Sequence, residues 1–291
     1  MTRYDVVLWD SVAAMPYSLS STTGLGGTEH AVVRLGRALQ ERGKSVTIIC
    51  PHHGGFQPYK ISTGALVSLR MSDIPAHSVL PRDRLIVWAH DSGRVTVPLE
   101  PHTLVCFTEW QRQGLCRDRV SWRRDIIIPG MLPDCVYNSP RPPREFGRFF
   151  YPSAAIKGWD ATYSLWCQER RPGDVLRVLA SGYDQARRHD DPTVQYLEPL
   201  DDQGLVNEVA AAEAIFAVNV FPEIWGQTLA IADALGTPIY YRAIRGFGGT
   251  IEVVRAYGMF EETSGYFLEA VRRDYRISTV MPQWLAVLEG P

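Results

Sequence analysis

The stretch from Ala214 to Pro238 constrains the fold more than any other. Ala214-Ile215-Phe216-Ala217-Val218-Asn219-Val220 is an almost unbroken apolar run. A strand of this kind is buried on both faces, as in a parallel sheet between helix layers. Pro222 then ends the ladder, because it has no N–H to donate. From Gly226 the apolar residues Leu229, Ala232 and Leu235 fall near one face of a helix. Gly236 and Pro238 supply the order of residues expected at a helix stop. The stretch therefore predicts one strand–loop–helix unit of an α/β sheet. Its loop holds a carboxylate, Glu223, beside a helix start. First-turn amides have no partner in the helical ladder, and the dipole there favours an anion. Gln227 and Thr228 are candidate phosphate contacts through their backbone. An ordinary solvated loop, with Pro222 and Glu223 in water, fits the same residues.

The rest of the chain repeats this alternation. Tyr4–Trp9 predicts a first buried strand. A Ser/Thr/Gly-rich loop ends in Gly24-Leu25-Gly26-Gly27-Thr28-Glu29. An amphipathic helix follows, carrying Val32, Val33, Leu35 and Leu39, with Thr28 as the expected N-cap. Ser45–Cys50 is the next strand. This is a βαβ unit with a glycine-rich turn, where backbone can approach a phosphate or sugar closely. The glycine spacing is not that of the dinucleotide fingerprint. Leu85–Asp91 is a strand ending in His90-Asp91, a polar pair at the end of the sheet where α/β proteins place ligand contacts. Strands are also expected at 103–108 and 124–130. Arg112, Arg117, Arg119, Arg123 and Arg124 cluster nearby and read as a solvated face. Asn138–Arg144 is rich in Pro and reads as an interdomain linker. Beyond it, strands are expected at 148–151, 175–180, 194–197 and 239–241, and helices around Tyr163–Trp166, at 205–212, at 265–273 and at 280–288. Two Rossmann-like domains are expected, at 1–140 and 145–275. Residues 276–291 are expected to form a C-terminal helix packing back on the first domain.

Composition narrows the class of function. Of 291 residues, 45% are hydrophobic and 21% charged, which describes a soluble globular chain with a full core. The net charge of −2 gives no general electrostatic reason to bind nucleic acid. The five cysteines, Cys50, Cys106, Cys116, Cys135 and Cys167, are widely spaced and form no C-x-x-C pair. They read as reduced thiols of a cytosolic protein rather than a zinc site or disulfide frame. No stretch has the length needed to span a bilayer, and the N terminus does not read as a signal peptide. Only three lysines occur, Lys44, Lys60 and Lys157, against 27 arginines. Each lysine merits separate attention, since the two cations bind phosphate differently.

Pro222-Glu223, with Gly226 three residues after the glutamate and Ala234-Leu235-Gly236-Thr237-Pro238 at the helix end, resembles the donor loop of retaining glycosyltransferases of the GT-B fold, family 4-like. Gly26-Gly27-Thr28-Glu29 resembles the first turn of that family, Lys157-Gly158 its diphosphate-gripping turn, and Gly248-Gly249-Thr250-Ile251-Glu252 lies in a similar later turn. The resemblance implies a GT-B architecture, two Rossmann-like domains with parallel sheets facing across a cleft. It implies a sugar transferase that uses a nucleotide-sugar donor, retains anomeric configuration and needs no cofactor or metal. Glu223 and His90 would be the catalytic pair, Glu223 on the sugar hydroxyls and His90 on the sugar from the first domain. Gly26, Gly27, Ser153, Lys157, Trp225, Gly226, Gln227 and Thr228 would bind the donor. Two positions depart from the family. Ile231 stands where a second glutamate grips the ribose, and Ser153-Ala154-Ala155 supply no arginine ahead of Lys157.

These departures keep a second class open, a GT-B-like protein that binds or partners without turnover. A Rossmann dehydrogenase or epimerase lacks its phosphate fingerprint here, and no carboxylate pair for glycoside hydrolysis is evident. The acceptor is expected on first-domain loops such as Tyr17–Thr23 and Pro51–Tyr59. A saccharide, a lipid-linked glycan, a small molecule or a modified macromolecule all fit.

Overall fold

The computed structural model describes residues 3–13, 15–23, 25–50, 62–69, 85–90, 103–116, 124–179, 188–216, 225–241, 265–266 and 274–290. The chain forms two compact units. One comprises Met1–Ser21, Gly27–Met131 and Ile277–Pro291; the other comprises Thr22–Gly26 and Leu132–Arg276.

The first unit is built on strands β1 (Arg3–Trp9), β2 (Val46–Ile49), β3 (Ser62–Ser68), β4 (Leu85–Trp88), β5 (Thr103–Cys106) and β6 (Arg124–Ile127), with helices α1 (Gly27–Gln40) and α2 (Glu109–Cys116). Their order is β2-β1-β3-β4-β5-β6, and every pairing is parallel. Such strands are covered on both faces, which is why Leu85–Trp88 is apolar throughout and every residue of it is buried. One core cluster joins Val7, Ile49, Leu66, Val87 and Leu104 across five strands. Each large aliphatic side chain so buried contributes about 1.5–3 kcal/mol. α1 begins at Gly27, so Thr28 lies inside the helix and is not its cap. Gly26 precedes it instead, and glycine is itself tolerated at a cap, so the boundary moved by two residues at little cost. The helix buries Val32, Leu35 and Leu39. It also packs closely at Gly36, where a Cβ would lie 2.3 Å from the Leu19 methyl.

The second unit contains α3 (Cys135–Asn138), β7 (Glu145–Tyr151), α4 (Trp159–Glu169), β8 (Val175–Leu179), β9 (Val194–Leu197), α5 (Asp202–Ala211), β10 (Ala212–Phe216), α6 (Gln227–Leu235), β11 (Ile239–Tyr241) and β12 (Gly265–Tyr266). Its sheet has the order β12-β11-β10-β7-β8-β9, parallel except for β12. The strand period of two sorts the residues of β7 and β8. Phe149, Tyr151, Leu176 and Val178 join Trp159 and Trp166 of α4 in one core cluster. Arg148 and Arg177 point to the other face and grip Glu208 of α5, at 2.8 and 2.9 Å. That ion cluster explains an arginine inside an otherwise apolar strand.

Three expectations are corrected here. Gly265 and Tyr266 are strand, not helix: they pair antiparallel with Tyr241 and Tyr240, closing the edge that β11 would otherwise leave open. The Pro-rich stretch 138–144 lies inside the second unit, and the division falls between Met131 and Leu132. That stretch is tied down, since Ser139 donates to Gln203 at 2.8 Å and Arg144 to the Gly236 carbonyl at 2.7 Å. α5 starts at Asp202, three residues before Leu205, because the Asp201 carboxylate accepts from the Gly204 amide at 2.7 Å and caps it. After the second unit, helix α7 (Ile277–Glu289) belongs to the first. Its Trp284 packs edge-to-face on Trp88 of β4, and Glu289 meets Lys44 at 3.7 Å. Among the described residues no helix is long and apolar enough to cross a membrane.

Candidate functional site

Each sheet reverses its direction of growth once. In the second unit β8 and β9 lie on one side of β7, while β10 and β11 lie on the other. The C-terminal ends of β7 and β10 therefore form the switch point of this sheet, the place where α/β sheets take ligands. The loop after β7 carries Ser153 and Lys157. The loop after β10 leads to Trp225, Gly226, Gln227 and Thr228. Parallel pairing of Phe149 with Ala214 and of Phe150 with Ile215 puts the C-terminal ends of both strands at one edge.

The lysine turn is built from both ends. The Tyr151 hydroxyl donates to the Ala154 carbonyl at 3.1 Å. Residues Ala155–Lys157 form a single 3₁₀ turn, closed by the Lys157 amide on Ala154 at 2.9 Å. Gly158 follows at φ 136°, a backbone value that L side chains rarely adopt, and lets the chain enter α4 at once. Trp159 then packs against Tyr151 at 5.5 Å. Ser153 and Lys157 are half-buried.

The start of α6 faces the same edge. Gly226 precedes the helix in the left-handed region, at φ 64° and ψ 66°, and brings no side chain of its own to cap it. The first helical bond runs from the Ala230 amide to the Gly226 carbonyl at 3.0 Å. The amides of Gln227, Thr228 and Leu229 thus precede the ladder, at the positive end of the helix dipole. Gln227 and Thr228 are half-buried, while Trp225 is buried against Tyr275 at 5.0 Å, edge to face. At the other end Gly236, also left-handed at φ 69°, satisfies the carbonyls of Ala232 and Asp233. Every residue from Leu229 to Leu235 is buried, so α6 has no single apolar face but is enclosed. Ile231, with no exposed surface, packs in that core. Glu223, Asp91 and the turn at 248–252 lie outside the described residues.

In the first unit His90 leaves the C-terminal end of β4. Its amide donates to the Leu69 carbonyl at 3.2 Å. Its ring meets Trp88 at 4.3 Å and Phe107 at 4.8 Å, both edge to face. Gln111 of α2 fixes the surrounding backbone, accepting from the Phe107 amide at 2.8 Å and donating to the Ala89 carbonyl at 2.7 Å. Gly26 is buried and leads into α1; Gly27 is exposed. A Cβ on Gly27 would meet nothing within 4 Å, so packing does not explain that glycine.

At the C-terminal edge of the first sheet one polar group was not singled out from the sequence. Asp10, fully buried at the end of β1, accepts from the Tyr17 hydroxyl at 3.0 Å and from the Val12 amide at 3.2 Å. Burial, then the Asp10 charge and hydrogen bond, push the Tyr17 hydroxyl well above its ordinary value. Arg37 of α1 donates to the carbonyls of Leu19 and Ser21, at 2.6 and 3.1 Å. The segment between β1 and α1 is thereby fastened from both sides. A polar residue directly after the first strand was the available signal. Of the expected arginine face, Arg112 pairs with Glu109 and Asp125 at 2.6 and 2.9 Å. Arg117, Arg119, Arg123 and the loop 51–59 lie outside the described residues. Among the described residues no group of three or more His, Cys, Asp or Glu side chains is placed to hold a metal ion.

The fold is similar to that of solved glycosyltransferases. HepE from Anabaena, in complex with UDP and glucose, is 12% identical, with 98% of this chain and 99% of that chain covered and a TM-score of 0.66. A glycosyltransferase from Rickettsia africae is 10% identical, with 99% and 98% covered and a TM-score of 0.63. Sucrose-phosphate synthase from Thermosynechococcus elongatus is 15% identical, with 98% and 90% covered and a TM-score of 0.61. The likeness establishes the fold as GT-B, two α/β domains each built on a parallel sheet. No protein-family model matches the sequence, and no curated protein matches it.

Proposed function

We propose that this chain is a glycosyltransferase that moves a sugar from a nucleotide-sugar donor to an acceptor, with retention of configuration and without a metal ion. The observation that carries the proposal is the edge of the second sheet between β7 and β10. A lysine on a pinned turn follows the first of these neighbouring parallel strands, and a helix start entered through a glycine follows the second. Both favour a polyanion, one by point charge and one by amides and dipole.

In the transfer the bond from the anomeric carbon to the diphosphate oxygen breaks and negative charge grows on the diphosphate, while the acceptor's nucleophilic atom bonds to that carbon on the same face and gives its proton to the departing diphosphate. Lys157 and the amides at Gln227 and Thr228 stabilise that charge, which is the effect expected to dominate. Glu223 holds the sugar hydroxyls and His90 contacts the transferred sugar. The binding of UDP and glucose by HepE supports a nucleotide-sugar donor for this chain too. Its place of action is the cytoplasm.

A panel of nucleotide sugars tested by thermal shift, followed by calorimetry and donor hydrolysis, tests the proposal. At least one nucleotide sugar should raise the melting temperature and turn over, and Glu223→Ala should abolish turnover. Binding heat without turnover would assign the chain to the non-catalytic class, and no stabilisation by any donor would refute the proposal.

A further inference from the structure

We propose that Trp284 of α7 is a positioning residue for His90, acting through Trp88. The inference rests on the assignment of His90 to the transferred sugar. An imidazole at the end of a strand turns easily about its last side-chain bond, where the torsional wells are broad. Here two rings restrict it, Trp88 at 4.3 Å and 71° and Phe107 at 4.8 Å and 86°. Such edge-to-face contacts are directional, so they fix the plane of the imidazole as well as its place.

The two restraining rings are held differently. Phe107 is set by its backbone, because its amide donates to the buried Gln111 side chain, which also donates to the carbonyl of Ala89, the residue before His90. Trp88 is set by its ring. The indole is buried, and it stands against the indole of Trp284 at 4.8 Å and 71°. Trp284 has no exposed surface and comes from a helix about 200 residues further along the chain. A well-packed interior passes on a displacement rather than absorbing it. If Trp284 shrinks, Trp88 gains room to tilt, and the imidazole plane follows.

The test uses the full chain with Trp284→Phe, which keeps an aromatic ring in the helix. Val287→Ala thins the buried side of the same helix without removing a ring and serves as the control. The His90 ring resonances are followed by NMR, a readout that needs no transfer activity. They should move in Trp284→Phe and stay in Val287→Ala. With the donor found in the panel, kcat should fall roughly tenfold to a hundredfold while the donor KM holds, the pattern of a misplaced reacting group. Trp88→Phe should give the same loss, and the double variant no more than the larger single one, since both act through one contact chain. His90 resonances unmoved by Trp284→Phe, or moved equally by Val287→Ala, would overturn the proposal, as would an unchanged kcat. If the wild-type chain transfers no sugar, the function proposed above fails, and the resonances alone decide whether Trp284 sets the ring.

Discussion

Gly226 and Gly236 bracket α6, both in the left-handed region, at φ 64°, ψ 66° and φ 69°, ψ 28°. They offer a comparison in which the left-handed region is shared and position is not. Alanine at either site must adopt a left-handed backbone at a cost of about 1–2 kcal/mol. For a unit of this size that lowers the melting temperature by about 2–8 °C. Both Gly226→Ala and Gly236→Ala should show that loss. Only Gly226 sets the aim of the first-turn amides. A shift there loses charge-assisted hydrogen bonds to a diphosphate, each about 1.5–3 kcal/mol, or roughly 10- to 150-fold in affinity. Calorimetry with uridine diphosphate and with the preferred nucleotide sugar reads this directly. Gly226→Ala should lose donor affinity on that scale, and Gly236→Ala should keep it within about twofold, its bonds being to the helix's own carbonyls. Equal affinity losses in the two variants, or none in Gly226→Ala, would refute the assignment of the helix start to phosphate.

The lysine turn and a carboxylate of the second unit give two further tests. Lys157→Ala should weaken diphosphate binding roughly tenfold or more with little change in melting temperature, and added salt should shrink the difference from wild type; an unchanged dissociation constant would remove Lys157 from the site. Asp191 sits beside Thr193, Arg170 and Tyr163. Burial alone would raise its carboxyl, but the hydrogen bonds from Thr193, with Arg170 behind them, outweigh it and hold the group down at about 2. A lowered carboxyl stabilises the fold above its unfolded value of about 4 and ceases to do so as pH falls through the folded one. Asp191→Asn should therefore cost about 1–2 kcal/mol at neutral pH, and urea denaturation should show the gap from wild type closing below pH about 4. A gap that stays constant to pH about 2 would contradict that origin.

The elements legible in the sequence were those fixed by local rules. Leu85–Trp88 is apolar without a break because both its faces are covered, and the strand is where that run predicts it. The caps of α6 were legible because left-handed backbone selects glycine at both ends. Lys157 stood out because lysine is rare in this chain, and the turn that holds it follows β7 directly. What was not legible depended on partners distant in sequence. Gly265-Tyr266 is a strand only because β11 offers it an open edge. The Pro-rich stretch is not a linker because Gln203 and Gly236 bind it from far along the chain. Arg177 inside β8 makes sense only once Glu208 is seen beneath it. Asp10 is a similar case, since its importance lies in the buried Tyr17 hydroxyl it receives.

The return of α7 to the first unit has a consequence for biogenesis. Trp88 meets the last of its ring partners only at residue 284, whereas everything the second unit needs has been made by Arg276. At a synthesis rate of roughly 5–20 residues per second, the wait from Met131 to Trp284 is on the order of 8–30 seconds. During that interval the half-covered indole is a target for chaperones, and the lobe begun before the other is completed after it.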